Sequence, residues 1–261
     1  MSKMGINLRN YLQQNHSKLT WKERLQIISH ITYALHHIHY SKAIHRDLHS
    51  GNILFSQLNQ GFEVSDLGFC GPADKPLNSI YGNLPYIAPE VIAGKGTTFA
   101  SDVYSISMLM WEVSSGQPPF INYENDYNLA MKIINGMRPK IVPETPLEYK
   151  ELMEQCWDAD PTKRPDIKTL RNKIRGINRS YYQSTLNESN NRSMIKKLTK
   201  KIKIFRSPKQ KINTIIEINS LNTSSRLFTS KIYQFKNLPE PRNATEGNNN
   251  TFFLIKFKNI S

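Results

Sequence analysis

Between residues 43 and 54 the chain reads Ala-Ile-His-Arg-Asp-Leu-His-Ser-Gly-Asn-Ile-Leu, which sets the carboxylate of Asp47 five residues before the amide of Asn52. A second carboxylate, Asp66, follows in Val64-Ser65-Asp66-Leu67-Gly68. Carboxylates accept protons, and carboxylate and amide oxygens are the donors that hard cations prefer. Sharing one cation requires such oxygens to be close in space. The intervening residues offer a means. Ile53-Leu54-Phe55 and Phe62-Glu63-Val64 are short apolar runs around a polar Asn59-Gln60-Gly61 turn. That pattern predicts a β-hairpin returning the chain from Asn52 to Asp66.

The elements that must position these groups read mainly as helices. Leu25, Ile28, Ile31, Leu35 and Ile38 recur at three- and four-residue steps and form one apolar helical face. Ser101 to Ser115 is apolar nearly all round, which predicts a buried axis, and Gly116 with Pro118 and Pro119 ends it. Asp126 to Ile134, Leu147 to Trp157 and Asp166 to Ile174 give three more helices, with Asp166 suited to cap the last. Beyond Arg175 the periodicity fades into Asn, Ser, Lys and Thr. The expectation for residues 176–261 is mostly disordered chain, with local helix at Met194 to Phe205.

Further signals follow in order: Ala88-Pro89-Glu90, Ser101-Asp102-Val103-Tyr104, Cys156-Trp157-Asp158 and Lys163-Arg164-Pro165. Together with His45-Arg46-Asp47, Asn52 and Asp66-Leu67-Gly68, this series resembles the protein kinases over about residues 5–175. The resemblance implies a mainly α fold. Residues 1–175 would form the large (C-terminal) kinase lobe with a short β-hairpin, followed by a basic low-complexity tail at 176–261. It also implies that Asp47 takes the proton of the acceptor hydroxyl, while Asn52 and Asp66 hold magnesium at the phosphates of ATP. In supporting roles His45 would pack under the catalytic loop, Asp102 would hydrogen-bond that loop's backbone, and Arg164 would pair with Glu90. Arg46 could meet a phosphate on Ser79 or Tyr81, although an ordinary polar loop is the plainer reading there. The Cys-Trp run suggests the tyrosine-kinase-like branch. The wording around Asp47, with Leu238 to Thr245, is similar to a large fungal set of such kinases.

The same resemblance begins after the kinase hinge. No Gly-rich phosphate loop, strand Lys or partner Glu can be placed ahead of Asp47. The expectation is a kinase represented without its N-terminal lobe, with an incomplete ATP site and negligible activity by itself. A non-catalytic, pseudokinase-like binding module is the rival, and the retention of Asp47, Asn52 and Asp66 favours the kinase. His49 stands where Ser/Thr kinases carry Lys, and Asn83 where they carry Thr, so the acceptor stays open between Ser, Thr and Tyr.

Charge is divided unevenly. The 35 Lys and Arg against 21 Asp and Glu give +14. Residues 1–175 hold 19 against 17, and residues 176–261 hold 16 against 4, so the basicity belongs to the tail. Lys196, Lys197, Lys200, Lys201 and Lys203, interleaved with apolar residues, suit an anionic surface or nucleic acid, a solvated tail being the plainer reading. The lobe itself points to a protein substrate or a signalling partner. Cys70 and Cys156 make no disulfide framework and fit a reducing compartment. There is no signal-peptide core and no run of the roughly 18 apolar residues that a spanning helix needs. The expected location is cytoplasmic, with the nucleus also open. His36, His37 and His39 would face different sides of one helix, which argues against a shared metal. Gly94-Lys95-Gly96-Thr97 lacks the earlier Gly of a phosphate loop and reads as a plain loop.

Overall fold

The computed structural model describes residues 5–72, 80–199, 229–235 and 238–244. Among these residues the helices are α1 (Leu8–Asn15), α2 (Trp21–Tyr40), α3 (Pro89–Ile92), α4 (Phe99–Ser115), α5 (Tyr127–Ile134), α6 (Leu147–Cys156) and α7 (Ile167–Thr199). Short strands β1 (Ala43–Ile44), β2 (Ile53–Ser56), β3 (Gly61–Val64), β4 (Gly71–Pro72), β5 (Ile80–Gly82) and β6 (Lys231–Tyr233) form three antiparallel pairs, β1 with β4, β2 with β3, and β5 with β6.

Helix α2 starts where Thr20 and Glu23 cap each other: the Glu23 amide donates to Thr20 Oγ1 at 3.3 Å and the Thr20 amide to Glu23 Oε2 at 2.7 Å. Its face of Leu25, Ile28, Ile31 and Leu35 is fully buried against α4 and α7. Helix α4 is buried along nearly its whole length, and Gly116 ends it in the left-handed conformation that glycine adopts without strain. Tyr149 on α6 reaches this axis and donates its hydroxyl to Met110 O at 2.9 Å. The hairpin of β2 and β3 pairs Ile53 with Val64 and Phe55 with Phe62. It is held to α1 by Tyr11, whose ring lies 5.0 Å from Phe55 and 5.1 Å from Phe62.

The expectation of disordered chain from residue 176 is corrected where residues are described. Helix α7 continues to Thr199. Its apolar positions keep helical spacing past the expected end: Leu170, Ile174 and Ile177 are buried and Tyr181 packs against the same core. Burial of that stripe on α2 outweighs a polar composition. Residues 229–235 and 238–244 also lie against the lobe. The expected local helix is met for 194–199, which end α7, and its remainder lies outside the described residues.

One ion pair joins distant parts of this frame. Arg164 Nη1 and Nη2 each donate to a separate Glu90 carboxylate oxygen at 2.7 Å, and Nε donates to Asp158 O at 2.8 Å. Both side chains are buried. Arg164→Ala should lower stability by about 3–5 kcal/mol, because it strands the Glu90 charge away from water. Urea denaturation checks this, and a loss below roughly 1 kcal/mol would equate the pair with an exposed one.

Candidate active site

The site is built around Asp102, in the first turn of α4 and 1 % exposed. Its Oδ2 accepts the His45 amide at 2.8 Å and lies 2.8 Å from His39 Nε2, while Oδ1 accepts the Arg46 amide at 3.0 Å. Arg46 has a positive φ of 73°, uncommon for a side chain of its size. Two neighbouring amides aimed at one carboxylate hold it there. The Arg46 side chain runs back to donate from Nη1 to Phe69 O at 3.3 Å. His45 is fully buried. Its Nδ1 accepts the Asp47 amide at 3.3 Å, so the proton sits on Nε2, which donates to Ser65 O at 3.1 Å.

Asp47 emerges from this loop 4 % exposed. The backbone passing it is Gly82, at a φ of 134°, where an added Cβ would stand 3.2 Å from Asp47 Oδ1 and 3.4 Å from Ile87. Only glycine meets both demands. Asn52 donates Nδ2 to Asp47 O at 2.9 Å, which leaves its Oδ1 as acceptor. Ser65 ties the next segment to this one, donating its amide and its hydroxyl to Asn52 O at 2.8 and 3.0 Å. Asp66 then turns through the left-handed conformation with its side chain exposed. The hairpin therefore returns the chain to Asn52 at Ser65, the residue before Asp66, while Asn52 itself bonds Asp47 O. Asn52 Oδ1 and the exposed Asp66 carboxylate are hard oxygen donors of the kind magnesium prefers. These residues fit that ion.

Below the loop lies a polar network. Ser50 Oγ stands 3.3 Å from Tyr86 Oη, which donates to Glu112 Oε2 at 2.6 Å, and Arg9 Nε lies 3.9 Å from Glu112 Oε1. Burial pushes the Glu112 carboxyl up against the opposing pull of Arg9 and Tyr86. Tyr81 stacks on Phe69 with ring centroids 3.8 Å apart, while Ser79 lies outside the described residues. Among the described residues no cluster of His, Cys, Asp and Glu is arranged to hold a metal, and no helix is long and apolar enough to cross a membrane.

Two contributors escaped the sequence reading. His39, set aside there as one of a histidine run, is a buried partner of Asp102. Ser230, 183 residues beyond Asp47, donates its hydroxyl to Asp47 Oδ1 at 2.8 Å and lies 3.1 Å from His49 Nε2. No local pattern signals either contact.

A family model for protein tyrosine and serine/threonine kinases matches residues 1–174. The chain belongs to this kinase family. It is 31 % identical over 176 residues to a probable LIM domain-containing serine/threonine-protein kinase of Dictyostelium discoideum, covering 67 % of this chain and 27 % of the relative. It is 33 % identical over 163 residues to the dual serine/threonine and tyrosine protein kinase of Homo sapiens, covering 61 % of this chain and 17 % of the relative. A putative serine/threonine-protein kinase/receptor of Acanthamoeba polyphaga mimivirus matches at 32 % over 177 residues, 66 % of this chain and 10 % of the relative. The kinase chain thus spans less than a third of the length of each of these relatives.

Burial pushes the Asp47 carboxyl up, but the polar contacts with His49 and the Ser230 hydroxyl outweigh it and leave Asp47 below its ordinary value. A carboxyl lowered on folding adds stability above its unfolded pKa and loses it as pH falls through the folded one. The stability advantage of wild type over Asp47→Asn should therefore be constant above about pH 4 and shrink below it, as read by thermal unfolding across a pH series. Asp102→Ala should cost at least about 2 kcal/mol in denaturant titration, because it leaves two buried amides without an acceptor.

Proposed function

We propose that this chain is the catalytic lobe of a protein kinase of the tyrosine-kinase-like branch, acting in ATP-dependent phosphoryl transfer to a protein hydroxyl. In this reading the lobe is residues 1–175, and the basic chain after it is an appended tail. Asp47 is the base, and Asn52 and Asp66 are the magnesium ligands. The reading rests above all on one observation: a buried carboxylate, Asp47, is held on a backbone fixed by Asp102 and is bonded through its carbonyl to the Asn52 amide.

Magnesium ATP supplies the phosphoryl group and the cation that screens its charge. The chain's own residues do the rest. Asp47, kept ionised, accepts a hydroxyl proton from the distance at which it now holds Ser230 Oγ, 2.8 Å. His45 and Asp102 keep the loop from turning that carboxylate away. Arg164 and Glu90 brace the platform beneath the acceptor.

Positioning and charge stabilisation make up most of phosphoryl-transfer catalysis. The loss of a single preorganised donor costs about 3 kcal/mol. Without a phosphate-covering loop and strand Lys, these 261 residues assayed alone should give negligible turnover. Joined behind the N-terminal lobe of an active kinase, the chain should transfer label from radioactive ATP to protein, and Asp47→Asn should cut the rate by about 10²–10⁴-fold. A chimera indifferent to Asp47→Asn would remove Asp47 from its role. Turnover by the unjoined chain that Asp47→Ala abolishes would overturn the incomplete ATP site.

A further inference from the structure

The segment 229–235 is remote in sequence from the lobe, yet it reaches the centre of the site. Strand β6 adds antiparallel to β5, pairing Lys231 with Gly82, Ile232 with Tyr81 and Tyr233 with Ile80. Main-chain pairing of this kind gives affinity with little demand on side chains, and a bare strand edge is its template. The residue just before β6 is Ser230. His49 Nδ1 accepts the Gly51 amide at 3.0 Å, which puts the ring proton of the neutral imidazole on Nε2. Nε2 then donates to Ser230 Oγ at 3.1 Å, and Ser230 donates its own proton to Asp47 Oδ1 at 2.8 Å. The hydroxyl proton is aimed at the carboxylate.

Anchors on either side keep the strand in place. Tyr233 is 6 % exposed and stacks on Phe235, whose ring meets the edge of Tyr127. Lys231 Nζ donates to Asn125 O at 3.0 Å. Farther along, the Arg242 amide donates to Ile134 O at 3.0 Å, Asn243 bonds the Ala159 amide and Asp158, and Glu240 pairs with Lys95. An acceptor peptide needs extended backbone along the segment leading to Leu84 and a hydroxyl within proton-transfer reach of the base. The tail supplies both.

We propose that Ser230–Tyr233 is the chain's own occupant of the acceptor groove, and that the groove takes extended peptides presenting a serine followed three residues later by an aromatic side chain. The docking stands on the observed contacts; the identity of the groove as an acceptor site rests on the kinase reading. In the full 261-residue chain the amides within Ile80–Gly82 that bond to β6 should be protected from hydrogen exchange. Tyr233→Ala should release them at least about tenfold while the amides of α2 and α4 keep their rates, which separates undocking from unfolding. A fluorescent peptide of sequence Thr-Ser-Lys-Ile-Tyr-Gln-Phe should bind the Tyr233→Ala chain roughly tenfold tighter than wild type, whose own strand competes at high effective concentration. The same peptide with alanine for serine should bind more weakly. Equal affinity for both chains, or free exchange of those bonded amides in wild type, would overturn the proposal. Neither readout involves turnover or nucleotide, so failure of the kinase reading appears separately, in the chimera.

Discussion

A single buried carboxylate sets the geometry on which the rest of the site depends. Asp102 is a charge removed from water, tolerable only because donors surround it. Two backbone amides and His39 converge on its two oxygens, and its place in the first turn of α4 puts it at the positive end of the helix dipole. The backbone in turn gives something up. Arg46 is held at a positive φ, a conformation that costs on the order of 1–3 kcal/mol and persists only where its surroundings leave no alternative. The strain therefore follows from the interaction, and its result is a fixed direction for the next residue, Asp47.

From that fixed point the other groups are placed by main-chain ties more than by side-chain packing. Ser65 donates twice to Asn52 O, so the two hairpin ends cannot separate without losing both bonds. Asn52 donates back to Asp47 O. The loop is tied to α4 a second time through Ser50, Tyr86 and Glu112, a helical turn or more from Asp102. Two attachments to one buried helix resist rotation as well as displacement. The Glu90–Arg164 pair fixes α3 to the segment before α7 with a two-pronged geometry that lysine could not supply, and Arg164 also reaches Ala100 O at the start of α4.

What the sequence disclosed and what it hid divide along physical lines. The hairpin, the apolar face of α2, the buried α4 and the cap at Asp166 are local patterns, readable from residue type and spacing alone. The ordered series of short signals was enough to point to a kinase lobe. Composition misled at α7, which is rich in Asn, Ser and basic residues; the stripe Leu170, Ile174, Ile177 and Tyr181 is thin but correctly spaced, and a neighbouring helix was there to bury it. His39 looked like one of several interchangeable histidines, because which of them faces Asp102 depends on the packing of α2 against α4. Ser230 was hidden for the simplest reason. A hydroxyl in an Asn/Ser-rich tail carries no local mark of the carboxylate it will meet 183 residues away.

His49 gains its meaning from that meeting. A lysine at this position would bring a permanent positive charge to a transferred phosphate, whereas the imidazole is a weaker and directional group. Its orientation is set by the Gly51 amide on Nδ1, which leaves Nε2 as a donor pointing at the Ser230 hydroxyl. A donor on one side of Ser230 Oγ and an acceptor on the other align the O–H bond with Asp47. The same geometry makes the chain's own strand a good resident. A competing peptide must match the β5 edge, the aromatic anchor at Tyr233 and the polarised serine together, while the tail presents all three at the high local concentration that covalent connection provides.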